Sequence, residues 1–512
     1  MAQSALPGAS PPSASAEAER RTEAEAAASV ASGDANLAEE GADANIGEAA
    51  DCWALAGEWL WDGVADKCES GRCVVVQGQT ILGVCRLEEA RAQGLEVELH
   101  AGCCLMPGLI DAHVHLEFSG DFPLHEQPAM SLEQLDAAVH ERALSMLRAG
   151  ITTARDLGGS RTFAALRLRD EIAAGRAEGP RLVCAGQPVT IPGGHCHQWG
   201  GAASNAREAV EVVERQVERG VDWIKVMVTG GIRTPGSNPA MTQFSQSDLR
   251  AIVGAATAHG RPVSGHAHGA GGVAAAVEAG CRTIEHCSWI GPGSEWGCYD
   301  DGVVAEMARR GVCVAPTAHA NWRWKPMGDK NYRRISAALH ACARAGVPLL
   351  ASSDAGAIPK LPHDALAGGI EVLADMAGLT CAEALRTATS GSAAALGLCE
   401  SCGRLAPGCS ADLLLVRGDP TRDLKALRHP IVVVARGRRA GGSAAPPPPP
   451  PLPPAGPEAS ATTSRPSSTY ETLRQSFMRQ PRGSGGEVAE AGEGRDGSGD
   501  GGGTAAASRT KR

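Results

Sequence analysis

Short apolar runs recur through the middle of the chain, each starting just after a glycine that ends an amphipathic stretch. ITTARD follows Gly150, VDWIKVMV follows Gly220 and RPVSGHAH follows Gly260. CRTIEH follows Gly280, VCVAPT follows Gly311 and VPLLASSD follows Gly346. A glycine one step past a helix takes the left-handed conformation that closes the last turn without a Cβ clash. Continuously apolar runs suit parallel strands covered on both faces. With LMPGLIDAHVHL at 105–116 and PRLVCAG at 180–186, the pattern predicts eight strands alternating with helices. One helix start is readable in detail. Ser131-x-x-Gln134 fits a capping box, and Leu132, Leu135, Val139, Met146 and Leu147 keep a helical stripe.

This alternation places the chain in the α/β class and predicts a (β/α)8 TIM barrel over 105–400, with its site at the C-terminal strand ends. A doubly wound sheet would need a glycine-rich phosphate turn after the first strand, and none is present. Both flanks read as β-rich: VVVQGQTILGVCRL lies in 51–104, and ADLLLVRGDP and HPIVVVARG lie in 401–440. They predict a small composite β-sandwich domain shared by the two flanks. Residues 1–50 are Ala, Ser, Glu and Gly with few large apolar groups, and 441–512 open with six prolines, Pro446 to Pro451. Neither segment can bury enough surface to offset its chain entropy, so disordered N- and C-terminal tails are expected.

Charge narrows the function classes. With 48 basic and 58 acidic residues the formal charge is −10, the opposite of the basic surplus of a nucleic-acid binder. No apolar stretch reaches the 18 residues of a membrane span, and no basic start leads into an apolar leader. A cytoplasmic protein acting on a small molecule, with no nucleic-acid or membrane partner, is the expectation. The proline run could recruit a proline-motif-binding partner, and a homo-oligomer stays open. The 17 cysteines form no framework, and the lone pair Cys399-x-x-Cys402 reads more readily as reduced thiols than as a metal or redox site.

Histidines carry the chemistry. Of fifteen, eight fall at or just after predicted strand ends: His113, His115, His195, His197, His266, His268, His286 and His319. A lone histidine on an apolar face is usually a core residue with a satisfied hydrogen bond. Eight at one rim point instead to metal, for which imidazole is the commonest protein ligand. His113 and His115 share one face by period-two alternation. Lys225 sits inside the apolar run DWIKVMV, where a charge is costly unless paired or modified; a salt bridge to a barrel acid would also satisfy it. Asp354, in SSDAG at the last strand end, can bind metal and take up a proton.

PGLIDAHVH, the strand-four lysine, the histidines on strands five and six, and SSDAG together resemble the metal-dependent amidohydrolase superfamily. GITTARDLGG, GGH at 193–195, EALRTATSGSAAALGL and ADLLLVRGDP narrow the resemblance to its imidazolonepropionase-like and Xaa-Pro/Xaa-Arg dipeptidase-like branch. The resemblance implies two divalent metal ions, expected to be zinc. His113, His115 and Asp354 would hold the first, His266 and His286 the second, and an N-carboxylated Lys225 would bridge them. Hydroxide would attack a C–N bond (amide, peptide or cyclic amide), with Asp354, His268 and His195 as catalytic groups. His195, His197, Arg233 and His268 would contact substrate, Arg233 as a carboxylate clamp or else a solvated loop charge. Two alternatives accompany this expectation: a mononuclear imidazolonepropionase-type enzyme without carboxylation, and a scaffold of little activity that recruits partners through its tail.

Overall fold

A computed structural model describes residues 52–124, 126–159 and 162–440. Both predicted tails, and the proline run with them, lie outside the described residues.

The chain starts with β1 (Cys52–Leu60), β2 (Glu69–Ser70), β3 (Arg72–Gln77), β4 (Thr80–Arg86), α1 (Leu87–Ala92) and β5 (Val97–Pro107). The predicted hairpin is β3–β4. It turns through Gly78 and Gln79 between the pair Gln77 and Thr80, with Gly78 at φ +57° as the tight turn demands.

Seven regular strands follow: β6 (Leu109–Val114), β7 (Ile151–Asp156), β8 (Arg181–Cys184), β9 (Ile224–Met227), β10 (Val263–Gly269), β11 (Thr283–Ile290) and β12 (Cys313–Ala315). The helices α2 (Leu132–Arg148), α3 (Ala164–Ala173), α4 (Ala206–Glu218), α5 (Gln246–Ala258), α6 (Ala270–Ala279) and α7 (Asp301–Arg310) alternate with them. Then come α8 (Asp329–Arg344), α9 (Leu366–Ala377), α10 (Cys381–Thr387) and α11 (Ser390–Ala395). All six glycines of the recurring pattern are left-handed, with φ from +64° to +95°. The Ser131 cap forms as expected: its hydroxyl accepts from the Gln134 amide, and Gln134 answers on the Ser131 amide.

These strands make two parallel sheets, β6-β7-β8 and β9-β10-β11-β12. An isolated parallel bridge links Val226 of β9 to Val189, in the segment that follows β8. The predicted eighth strand is not a regular strand. Its residues pair only at Val314–Leu349 and Val114–Ala355, supported by Leu350 N–H to Val314 O at 2.8 Å and Asp354 N–H to His113 O at 2.8 Å. Two local features interrupt it: Pro348 has no amide hydrogen, and Asp354 is left-handed at φ +57°. Apolar side chains from strands and surrounding helices fill the space between, with Ile224, Val226, Val263 and Ile284 all buried.

The chain ends in β13 (Leu413–Arg417), β14 (Pro430–Ala435) and β15 (Arg438–Arg439). Strands from the two flanks join one mixed sheet, ordered β15-β14-β13-β5-β1-β3-β4 with β2 on the side of β1. The seam is β13 against β5, where Leu414 pairs with Met106. Because β5 runs almost directly into β6, this sheet anchors the strand that carries His113 and His115.

Candidate active site

His113 and His115 leave the end of β6 on one side of the strand. The His113 Nε2 lies 3.3 Å from the His115 Nε2, and Asp354 Oδ1 lies 3.4 Å from each. Ligands about 2.0–2.1 Å from a tetrahedral ion are separated by about 3.3–3.4 Å. The triangle therefore has the dimensions of a metal cradle. The other ring nitrogens are occupied: His113 Nδ1 meets Glu285 Oε2 at 2.8 Å, and His115 Nδ1 meets the Gly158 carbonyl at 2.6 Å. Carboxylate and carbonyl oxygens only accept, so both Nδ1 atoms carry the hydrogen and both Nε2 lone pairs face Asp354.

His266, His268 and His286 form a second group whose ligand atoms lie within 4.8 Å of one another. Ser288 Oγ holds His268 Nδ1 at 2.9 Å, and Thr317 Oγ1 holds His286 Nδ1 at 3.0 Å. His268, expected beside the substrate carbonyl, thus stands with the two predicted ligands. The two groups adjoin, with the His113 and His286 rings 5.2 Å apart. His286, Thr317 and Asp354 are all left-handed non-glycine residues, a strained conformation that tends to collect at functional sites.

Lys225 faces this centre from β9. It is 1% exposed, and its Nζ has no hydrogen-bond partner. Burial pushes its amine down to about 8 against the pull of Glu285. The salt-bridge alternative is thus not formed as a contact, and an orphaned buried amine fits a group that is modified. Burial and the Lys225 charge lower His113 to about 4. Burial, then the neighbouring imidazoles, carry His266 and His286 well below the usual range. The rings are therefore neutral, the form that binds metal. Burial would raise the Asp354 carboxyl, yet His113, His115 and Lys225 hold it down at about 2.

A cavity opens over these groups. His195, Arg233 and His319 line it, as do Trp199, Trp296, Trp322, Met327 and Ile232. His195 is buried, with Nδ1 2.8 Å from Thr234 Oγ1. The same hydroxyl accepts from the Cys196 amide at 3.2 Å, and His195 Nε2 lies 3.5 Å from Cys196 Sγ. Arg233 is half-buried in the wall; burial lowers its pKa while the Asp354 charge raises it. His197 does not line the cavity, and its Nδ1 lies 2.9 Å from the Gly194 carbonyl. Trp199 stacks on Phe118 at 4.7 Å and meets His115 edge-on at 5.5 Å. Cys399 is exposed and Cys402 buried, both free thiols.

Sequence reasoning passed over Glu285, Arg155, Trp296 and Trp322. For the first two a signal existed: a charge inside each of the apolar runs TIEH and ITTARD. Trp296 lies in a loop and Trp322 in a short 3-10 helix, Ala320–Trp324, whose courses no local pattern announces.

The sequence model of the amidohydrolase family matches residues 104–440, and the chain belongs to that family. An ochratoxinase of Aspergillus niger is 27% identical over 367 residues, covering 64% of this chain and 73% of that enzyme. Imidazolonepropionase of Anaeromyxobacter dehalogenans is 28% identical over 418 residues, covering 72% of this chain and 90% of that enzyme. Among solved structures, a Xaa-Pro dipeptidase with methionine bound in its active site superposes with a TM-score of 0.66. It is 25% identical and covers 77% of this chain and 100% of that one. The A. niger ochratoxinase crystal structure, at 23% identity, shares the fold with a TM-score of 0.65, covering 76% and 95%. The chain is a hydrolase acting on carbon–nitrogen bonds. Among the described residues no helix is long and apolar enough to cross a membrane.

Proposed function

We propose that this amidohydrolase cleaves the amide bond of a small N-acyl amino acid or dipeptide that carries a bulky apolar group and a free carboxylate. The observation that carries the reading is the pair of ligand groups, His113–His115–Asp354 and His266–His268–His286, beside the partnerless Lys225 amine. We read the two parallel sheets, closed through 349–355, as the (β/α)8 barrel spanning 105–400. On the same reading, 51–104 and 401–440 form its supporting domain. His113, His115 and Asp354 would hold one divalent ion. His266 and His286 would hold a second, with N-carboxylated Lys225 between them and His268 within reach of the same ion. Bound divalent ions lower the pKa of water and polarise a carbonyl; zinc suits the imidazole-rich donor set.

The chain's own groups then do the following. Asp354 accepts the proton of the attacking water on its carboxylate and passes it to the leaving nitrogen. His195, held neutral by burial, donates to the carbonyl oxygen as negative charge builds there. Arg233 pairs with the substrate carboxylate. Trp199, Trp296 and Trp322 enclose the apolar group and exclude water. The ochratoxinase and dipeptidase relatives support the substrate class. The two ligand groups favour the binuclear form over the mononuclear alternative. A library of N-acyl amino acids and dipeptides, read by amine release, tests it. Turnover of apolar members with a free carboxylate, abolished by a chelator, is the expected result; turnover indifferent to the carboxylate would remove Arg233 from the reading.

A further inference from the structure

Two buried charges have no role in the steps above. Glu285 on β11 and Arg155 on β7 are each 0% exposed, and burying a charge needs compensation. For Glu285 it comes from one side. Its Oε1 accepts from Arg155 Nη2 at 2.9 Å, Ser264 Oγ at 2.8 Å and Thr283 Oγ1 at 2.5 Å. Arg155 is itself fixed, by Nε to the Ala112 carbonyl at 2.7 Å and by the Trp223 ring 4.5 Å from its Cζ. With three donors on Oε1, the carboxylate cannot rotate, and Oε2 is left for His113 Nδ1 at 2.8 Å.

His113 at the end of β6 and His115 just past it therefore differ. His115 donates to a neutral carbonyl, that of Gly158, whereas His113 donates to a clamped carboxylate. A carboxylate partner fixes the tautomer and raises the basicity of the opposite nitrogen. We propose that Glu285, clamped by Arg155, Ser264 and Thr283, is the positioning residue that presents the His113 Nε2 lone pair to the first ligand group. This inference rests on reading His113–His115–Asp354 as a metal site.

Glu285→Gln tests it, because the three donors dictate how the amide must sit. Its oxygen stays where they converge, and its NH2 then faces His113 Nδ1. That nitrogen must accept, the hydrogen moves to Nε2, and the lone pair is lost from the site. Zinc and cobalt(II) affinities, measured by competition with a chromophoric chelator, should fall about 10–100-fold at one of two sites and stay unchanged at the other. Affinity at both sites within about twofold of wild type, in a folded variant, would overturn the proposal. If Glu285→Gln does not fold, Ser264→Ala decides, since it removes one clamp and keeps the charge. A loss of about threefold or more at one site supports the proposal, and any smaller change overturns it. Failure of the site itself looks different: wild-type protein would then bind neither ion tightly.

Discussion

Acid should unfold the metal-free protein well before it protonates most carboxylates. Burial lowers His113 and His363 to about 4, and His195, His268 and His319 to about 3. In the unfolded chain each returns to about 6.5. The folded pKa is depressed, so the unfolded state binds more protons and stability rises with pH through this window. At pH 5.5 the unfolded imidazole is about ten-to-one protonated while the folded one stays neutral, a cost of about 1.4 kcal/mol per group. Five such groups reach about 7 kcal/mol, offset in part by the buried carboxyls of Asp111 and Asp156, which burial pushes up to about 7 and about 6 and which therefore take up protons in the folded state over the same window. Urea melts of chelator-treated protein at pH 7.5, 6.5 and 5.5 should show the midpoint falling steeply below 6.5, on the scale of about 1.4 kcal/mol per histidine. Restored divalent metal should shift the fall to lower pH, because ligation opposes protonation. A midpoint that is flat between pH 7.5 and 5.5 in the metal-free protein would show that these buried imidazoles do not set its acid limit.

Three further outcomes are expected. Asp354→Asn should keep the fold and lose kcat by roughly 10²–10⁴, since an amide cannot carry the proton; kcat within about tenfold of wild type would remove Asp354 from the mechanism. Lys225→Ala should lose metal and turnover together, and acetate or formate should restore part of both by filling the vacated space; two retained ions with near-normal turnover would end the bridging assignment. Arg233→Met should raise KM about 10–100-fold for substrates with a free carboxylate and leave their amidated counterparts unchanged; an equal effect on both would make Arg233 a wall residue only.

What the sequence made legible follows from how local each signal is. The glycine-then-apolar-run device marks helix ends and strand starts within a few residues, and every glycine so marked is left-handed. The Ser131 cap is equally local. The eighth strand was legible as a pattern but forms only bridges, because Pro348 and the left-handed Asp354 break its ladder. His113, His115 and Asp354 were legible because HVH and SSDAG sit at strand ends, and the structure brings the three together. Glu285 and Arg155 were not, since their meaning lies in a contact between β7 and β11 that spans 130 residues of chain. His268, which the resemblance sets beside the substrate carbonyl, stands with His266 and His286, its ring turned by the Ser288 hydroxyl of the neighbouring strand. The loop that makes His197 a candidate substrate contact ties its ring to the Gly194 carbonyl of the same loop.

Two histidine-rich groups and Lys225 would together hold divalent metal, and hydrolysis would depend on it. Elemental analysis of purified full-length protein, run beside turnover of an apolar N-acyl amino acid before and after chelation, tests it most directly. Two ions per chain, loss of turnover on their removal and recovery on their return are expected. Protein without bound metal whose turnover is untouched by chelation would contradict it.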